Sequence, residues 1–159
     1  MERSIETLQS EFLDAAQVLA SHRVMGLDSQ LVRDGTYFIV EDAGRIAGCG
    51  GWSFRATLYG GDGSIVGREP ARLEPSHDAA KVRAMYTDPD FTRRGVGRMI
   101  LSLCEDAARR AGFARVELMA TAAGVPLYRS CGYAPLDEGE DANVDGVRVP
   151  LLRMGKMLI

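Results

Sequence analysis

The strand-like run Ala80–Thr87 ends in Asp88-Pro89-Asp90, and Arg93-Arg94-Gly95-Val96-Gly97-Arg98 then opens a segment of helical period. No other stretch limits the fold as strongly. It requires a strand, a tight turn and a helix in that order, which places the chain among layered, mixed α/β proteins. The glycines let the backbone take left-handed angles and come close to a ligand. The arginines supply positive charge. The helix N-terminus adds unpaired N–H groups and the positive end of a dipole. Together these features suit a phosphate-bearing ligand.

The remaining elements follow from periodicity. Val96, Ile100, Leu103, Cys104, Ala107 and Ala111 form the apolar stripe of the helix, and Gly112 ends it. Leu8, Phe12, Ala16 and Leu19 predict an earlier amphipathic helix over Ile5 to His22. Thr36–Val40 and Arg45–Arg55 read as strands around an Asp42-Ala43-Gly44 connection. Residues 60–79 read as a long loop, Arg115–Met119 as a strand, and Gly124–Ser130 as a short helix stopped by Gly132. The tail, Tyr133 to Ile159, reads as two strands around an acidic turn at Asp137–Gly146. One domain over 1–159 is expected at this length.

Composition removes several function classes. The net charge is −3, against the basic balance usual for nucleic-acid binders. No apolar run is long enough to span a membrane. Cys49, Cys104 and Cys131 form neither a disulfide framework nor, with His22 and His77, a metal-ligand pattern, so no metal and a reducing cytoplasm are expected. The turn lacks the Gly-Lys-Ser/Thr of a nucleoside-triphosphate loop. Ile100 stands where a dinucleotide fingerprint needs a third small residue.

The whole run Val82 to Arg98 resembles the acetyl-CoA-binding motif of the GNAT N-acetyltransferase superfamily, Arg/Gln-x-x-Gly-x-Gly/Ala after a strand and a Pro-containing turn. Thr121 to Tyr133 is similar to a second family segment, N-x-x-A-x-x-x-Y-x-x-x-G-F, and the hairpin Thr36–Trp52 to the family's second and third strands. The resemblance covers about residues 15–159. It implies a mixed, mostly antiparallel central sheet flanked by helices. The family's first strand is expected to be missing or replaced, because Met1–Ile5 hardly supplies one.

The same resemblance implies that acetyl-CoA is the co-substrate. Its pyrophosphate would meet Arg93, Arg94, Gly95, Val96, Gly97 and Arg98, and its pantetheine amides the strand backbone at Met85, Tyr86 and Thr87. Tyr128 matches the family's general-acid tyrosine. Thr92 departs from the family's Arg or Gln, Thr121 from its Asn and Gly124 from its Ala.

The implied reaction is acetyl transfer to a small-molecule or peptide amine by direct attack in a ternary complex; a non-catalytic acyl-CoA-binding module is the alternative, and a homodimer is compatible with either. An amine resembling lysine, with pKa about 10.4, must lose a proton before it attacks. A general base, for which Glu117 and His77 are candidates, or a water chain to solvent must take it. An unperturbed tyrosine is a weaker acid than a thiol, so full transfer from Tyr128 would run uphill by roughly 2 kcal/mol. Tyr128 therefore needs a lowered pKa or must act as a hydrogen-bond donor. Asp137, Glu138, Glu140, Asp141 and Asp145 read as a solvated hairpin tip or, together with the 60–79 loop, as the border of an acceptor side that favours a cationic amine.

Overall fold

The computed structural model describes residues 1–159. Its sheet runs from β1 (Tyr37–Asp42) through β2 (Arg45–Ser53), β3 (Ala80–Thr87) and β4 (Arg115–Thr121) to β7 (Val147–Met157). The short β5 (Ala134–Pro135) and β6 (Glu140–Val144) both pair with β7. Neighbours are antiparallel except β3 and β4, whose crossover contains the helix α4 (Val96–Arg110).

That parallel pair shapes the molecule. β3 and β4 are in register only at Ala80↔Val116 and Lys81↔Glu117. Beyond those residues β3 stays with β2 while β4 stays with β7. Their C-terminal halves therefore separate, and the sheet opens into a cleft.

α4 packs on one face through Val96, Ile100, Leu101, Cys104 and Ala108. The expected stripe is rotated, because Leu103 is 38% exposed and Leu101 is buried instead. Close packing on β2 depends on missing side chains. A Cβ at Gly48 would stand 2.6 Å from Val96 Cγ1, and one at Gly50 would stand 2.8 Å from Ile100 Cγ2.

The other face carries helices α1 (Glu2–Gln9) and α2 (Ala15–Ser21), then α3 (Ser29–Arg33), which the sequence reading did not foresee. The single helix expected over Ile5 to His22 is thus two helices. Asp14 starts the second: its side chain accepts from Gln17 N at 2.8 Å, while Gln17 Oε1 accepts from Asp14 N at 3.0 Å. This reciprocal box begins the second helix, five residues after the first has ended at Gln9. Leu19 is consequently 73% exposed rather than core. Ile5 of α1 packs on Cys49 and Tyr86, and Ala20 of α2 joins Val149 and Leu151. The sheet begins at Tyr37, and the chain ahead of it is helical.

The tail holds three strands rather than two. The hairpin turn is Asp145-Gly146, at φ 49° and 86°, and half of the expected acidic turn is β6. Ala142 and Val144 point inward there while acids face water. The remaining boundaries shift by a few residues, and the irregular segment before β3 matches expectation.

Candidate active site

Between the parted strands lies a groove of about 690 Å³. Met85, Tyr86 and Thr87 at the end of β3 form one side. The floor is the turn into α4, with Arg93, Gly95, Val96, Gly97 and Arg98. Leu127 and Tyr128 of α5 (Val125–Ser130) face them. Ile5, Leu8, Gln9 and Phe12 close the remaining side. The sequence reading missed these residues, together with Met25. Their amphipathic period was visible, but nothing local says what an apolar face will cover.

Within the turn, Arg93 has φ 60° and Gly95 φ 81°, both left-handed. The turn thereby becomes a concave nest of amides at the start of a long helix. None of the amide N–H groups from Arg93 to Arg98 has a partner within the protein. Gly97 lets α5 approach, since a Cβ there would stand 2.8 Å from Leu127 Cδ2.

The three arginines part company. Arg93 lines the groove with no side-chain partner. Arg98 Nη2 donates to Ser130 Oγ at 3.0 Å and ties α4 to α5. Arg94, expected beside them, does not line the groove. Its guanidinium lies 3.3 Å from Asp42 Oδ2 and 5.1 Å from the centre of the Phe91 ring. Arg45 stacks on the same ring at 5.0 Å. Thr92 lines the groove, and its hydroxyl donates to the Pro89 carbonyl at 3.1 Å.

β3 is bulged beside the groove. Cys49 pairs with Tyr86 but Gly51 with Arg83, so two residues of β3 oppose Gly50. Ala84 takes φ 53° there, and Tyr37 donates its hydroxyl to the Ala84 carbonyl at 3.1 Å. The bulge re-aims the strand: Met85 packs toward the α4 core, whereas Tyr86 faces Ile5. The Tyr86 hydroxyl both accepts from Gly26 N and donates to Gly26 O, at 2.8 and 3.1 Å.

A second, smaller pocket of about 80 Å³ lies beyond the groove. Its walls are the segments around Gly26 and Gly60. Met25, Met85, Tyr86, Thr121 and Tyr128 line both spaces, so the two meet at these residues. Tyr128 is 8% exposed. Burial, with smaller contributions from Cys104, Tyr86 and Cys131, raises its pKa well above the usual tyrosine value.

Neither candidate base lines this junction. Glu117 accepts from Lys81 Nζ at 3.0 Å and Arg153 Nη2 at 2.6 Å, at the root of the parallel pair. Burial alone would raise its pKa, but those hydrogen bonds outweigh it and hold the carboxyl below its ordinary value. His77 lies in the loop before β3, where its carbonyl accepts from Arg115. The tail acids do not form one patch around the pocket either. Asp145 lies 3.5 Å from Arg23 and Asp141 4.0 Å from Arg148. Only Glu140 reaches a pocket residue, accepting from the Tyr59 hydroxyl at 3.1 Å.

The model of the acetyltransferase (GNAT) family matches residues 4–133. The chain belongs to the GNAT acetyltransferase family. Its solved relatives share the fold at low identity. A GCN5-related N-acetyltransferase from Rhodopseudomonas palustris is 16% identical with TM-score 0.68, covering 98% of this chain and 84% of the other. The putative acetyltransferase yncA from Salmonella typhimurium, solved with its cofactor acetyl-CoA, is 20% identical with TM-score 0.59, covering 92% and 75%. A ribosomal-protein-alanine N-acetyltransferase from Brucella melitensis is 20% identical with TM-score 0.59, covering 81% and 73%. No curated protein matches the sequence. GNAT acetyltransferases use acetyl-CoA, and the unpartnered amides of the α4 turn fit a pyrophosphate. No helix is long and apolar enough to cross a membrane, and no group of His, Cys, Asp or Glu is placed to hold a metal ion.

Proposed function

We propose that this GNAT member is an acetyl-CoA:amine N-acetyltransferase that moves the acetyl group by direct attack in a ternary complex. The observation that carries this reading is the meeting of a long groove and a smaller pocket at Met85, Tyr86, Thr121 and Tyr128. A two-substrate reaction needs both spaces to open on the same atoms.

Bound acetyl-CoA supplies the thioester. The free amides and Arg93 would hold its pyrophosphate, in an environment worth up to about 2 kcal/mol for a partly buried anion at a helix N-terminus. The end of β3, from Met85 to Thr87, would take the pantetheine arm as an added strand. Tyr128 stays protonated because burial raises its pKa. It therefore donates a hydrogen bond to charge developing at sulfur rather than surrendering its proton outright. No cysteine lines the junction, which favours direct attack over an acyl-enzyme. No carboxylate or imidazole lines the acceptor pocket, so the amine loses its proton to water.

The test joins a thermal-shift titration to a thiol-release assay. Acetyl-CoA should raise Tm with rising concentration, as any ligand selective for the native state does, and an amine panel should release CoA. Absence of any shift at millimolar acetyl-CoA refutes the reading. A shift without thiol release for any amine would return the protein to the acyl-CoA-binding alternative.

A further inference from the structure

We propose that the acceptor amine also carries a carboxylate, received in the smaller pocket by the surplus positive charge of Arg83 and Arg68. This names the substrate class of the acetyl-transfer reading and rests on it.

No residue lining the acceptor pocket is acidic, and Arg83 is the one charged residue among them. Its side chain is 1% exposed, as is that of Asp28. Arg83 Nη1 donates to the Thr57 carbonyl at 3.0 Å. Nη2 lies 2.7 Å from Asp28 Oδ2 but makes no hydrogen bond, and Nε has no partner at all.

Asp28 is already engaged. Its Oδ1 accepts from Arg68 Nη2 at 2.8 Å, and Arg68 also donates to the Gly60 carbonyl in the pocket wall. Two guanidinium groups therefore share one carboxylate. The other acid felt by Arg83 is Asp34, which is gripped by Arg55 at 2.7 and 2.8 Å and has Arg72 nearby. Burial lowers the Arg83 pKa, Asp28 opposes that shift, and Arg68 adds to it.

A purely structural tie between Asp28 and β3 would be complete with one arginine. Here a buried guanidinium keeps unused donors and shares its one close carboxylate with a second guanidinium, so the group of three carries a surplus positive charge. Buried charge is unfavourable unless paired and hydrogen-bonded. An entering carboxylate would supply both, and low dielectric strengthens the attraction. A cationic group in the same space would be repelled. With the tail acids dispersed, the pocket lacks the features that a polyamine or lysine side chain would need.

The test compares glycine, L-alanine, L-methionine and L-glutamate, each beside its carboxamide, with cadaverine as cationic control. Thiol release reports transfer, and calorimetric titration into CoA-saturated protein reports binding. The acids should bind and turn over with kcat/KM about tenfold or more above their amides. Equal or better use of the amides or cadaverine overturns the proposal, as does failure of every acid to bind. Binding of the acids without thiol release supports the carboxylate site and refutes the transfer reading. No thermal shift with acetyl-CoA overturns both.

Arg68→Gln, at a half-buried position, would let Asp28 neutralise Arg83. It should raise KM for the acid about tenfold more than KM for the amide. Arg83→Lys should do the same, since a point charge does not reproduce the guanidinium fork. An equal rise for acid and amide would mark a merely structural role and count against the proposal.

Discussion

Tyr128 lines both the groove and the smaller pocket, and burial makes its hydroxyl a weak acid. A group in that state contributes by donating to developing charge. Tyr128→Phe should lower kcat about 10²-fold, the loss expected for one donor of this kind, with KM for acetyl-CoA little changed. Steady-state kinetics checks this, and an unchanged kcat would remove Tyr128 from the reaction. Gly95 makes a second prediction. Its φ of 81° disfavours any side chain, although nothing lies within 4 Å of an added Cβ. Gly95→Ala should cost about 1 kcal/mol from conformation alone and weaken acetyl-CoA binding by distorting the free amides; paired urea unfolding and ligand titration separate the two effects. The place of Tyr128 in the groove was legible through its motif, and the concave shape of the turn through its glycines. The division of labour among the arginines was not. Arg94 is drawn away by Asp42 and Phe91, and sequence spacing gives no direction to a side chain whose partner is distant in the chain.

Elements whose signals are local were read well, and those whose signals compete were not. β3 matches its expected limits, and α4 begins at Val96 and is stopped by Gly112 as expected. The break between α1 and α2 was written in Asp14-x-x-Gln17, but a continuous apolar period seemed to run through it. β6 was hidden because its outward residues are acidic, so its alternation looked like a solvated turn. The capping box gives a prediction at this scale. Asp14→Ala removes the acceptor for Gln17 N and should cost about 1 kcal/mol, lowering Tm by roughly 2–4 °C in a chain of this size. Gln17 also donates through Nε2 to the Arg148 carbonyl at 3.0 Å, which ties α2 to β7. Gln17→Ala should therefore lose more stability than Asp14→Ala, a ranking that thermal melts can read.

The cleft exists because β3 and β4 are joined at one end and apart at the other, a property no single segment encodes. The joint is short, with Lys81↔Glu117 as one of its two register pairs. It is reinforced by the Glu117 carboxylate, which Lys81 and Arg153 hold at 3.0 and 2.6 Å. The folded-state pKa of Glu117 lies below its ordinary value, since these hydrogen bonds outweigh the opposing effect of burial. The sign follows by linkage. Its contribution is fully present above the unfolded carboxyl pKa of about 4.3 and is lost as pH falls through the lower folded value. Glu117→Gln should cost about 2 kcal/mol at pH 7, the scale of hydrogen bonds to a charged group. The gap between variant and wild type should narrow steadily as the pH of urea unfolding experiments is taken below about 4. A gap that stays constant with pH would show that the carboxylate does not hold the joint. A larger effect on KM for acetyl-CoA than on KM for the acceptor would follow if the joint sets the width of the cleft, because the proposed site lays the cofactor arm along β3.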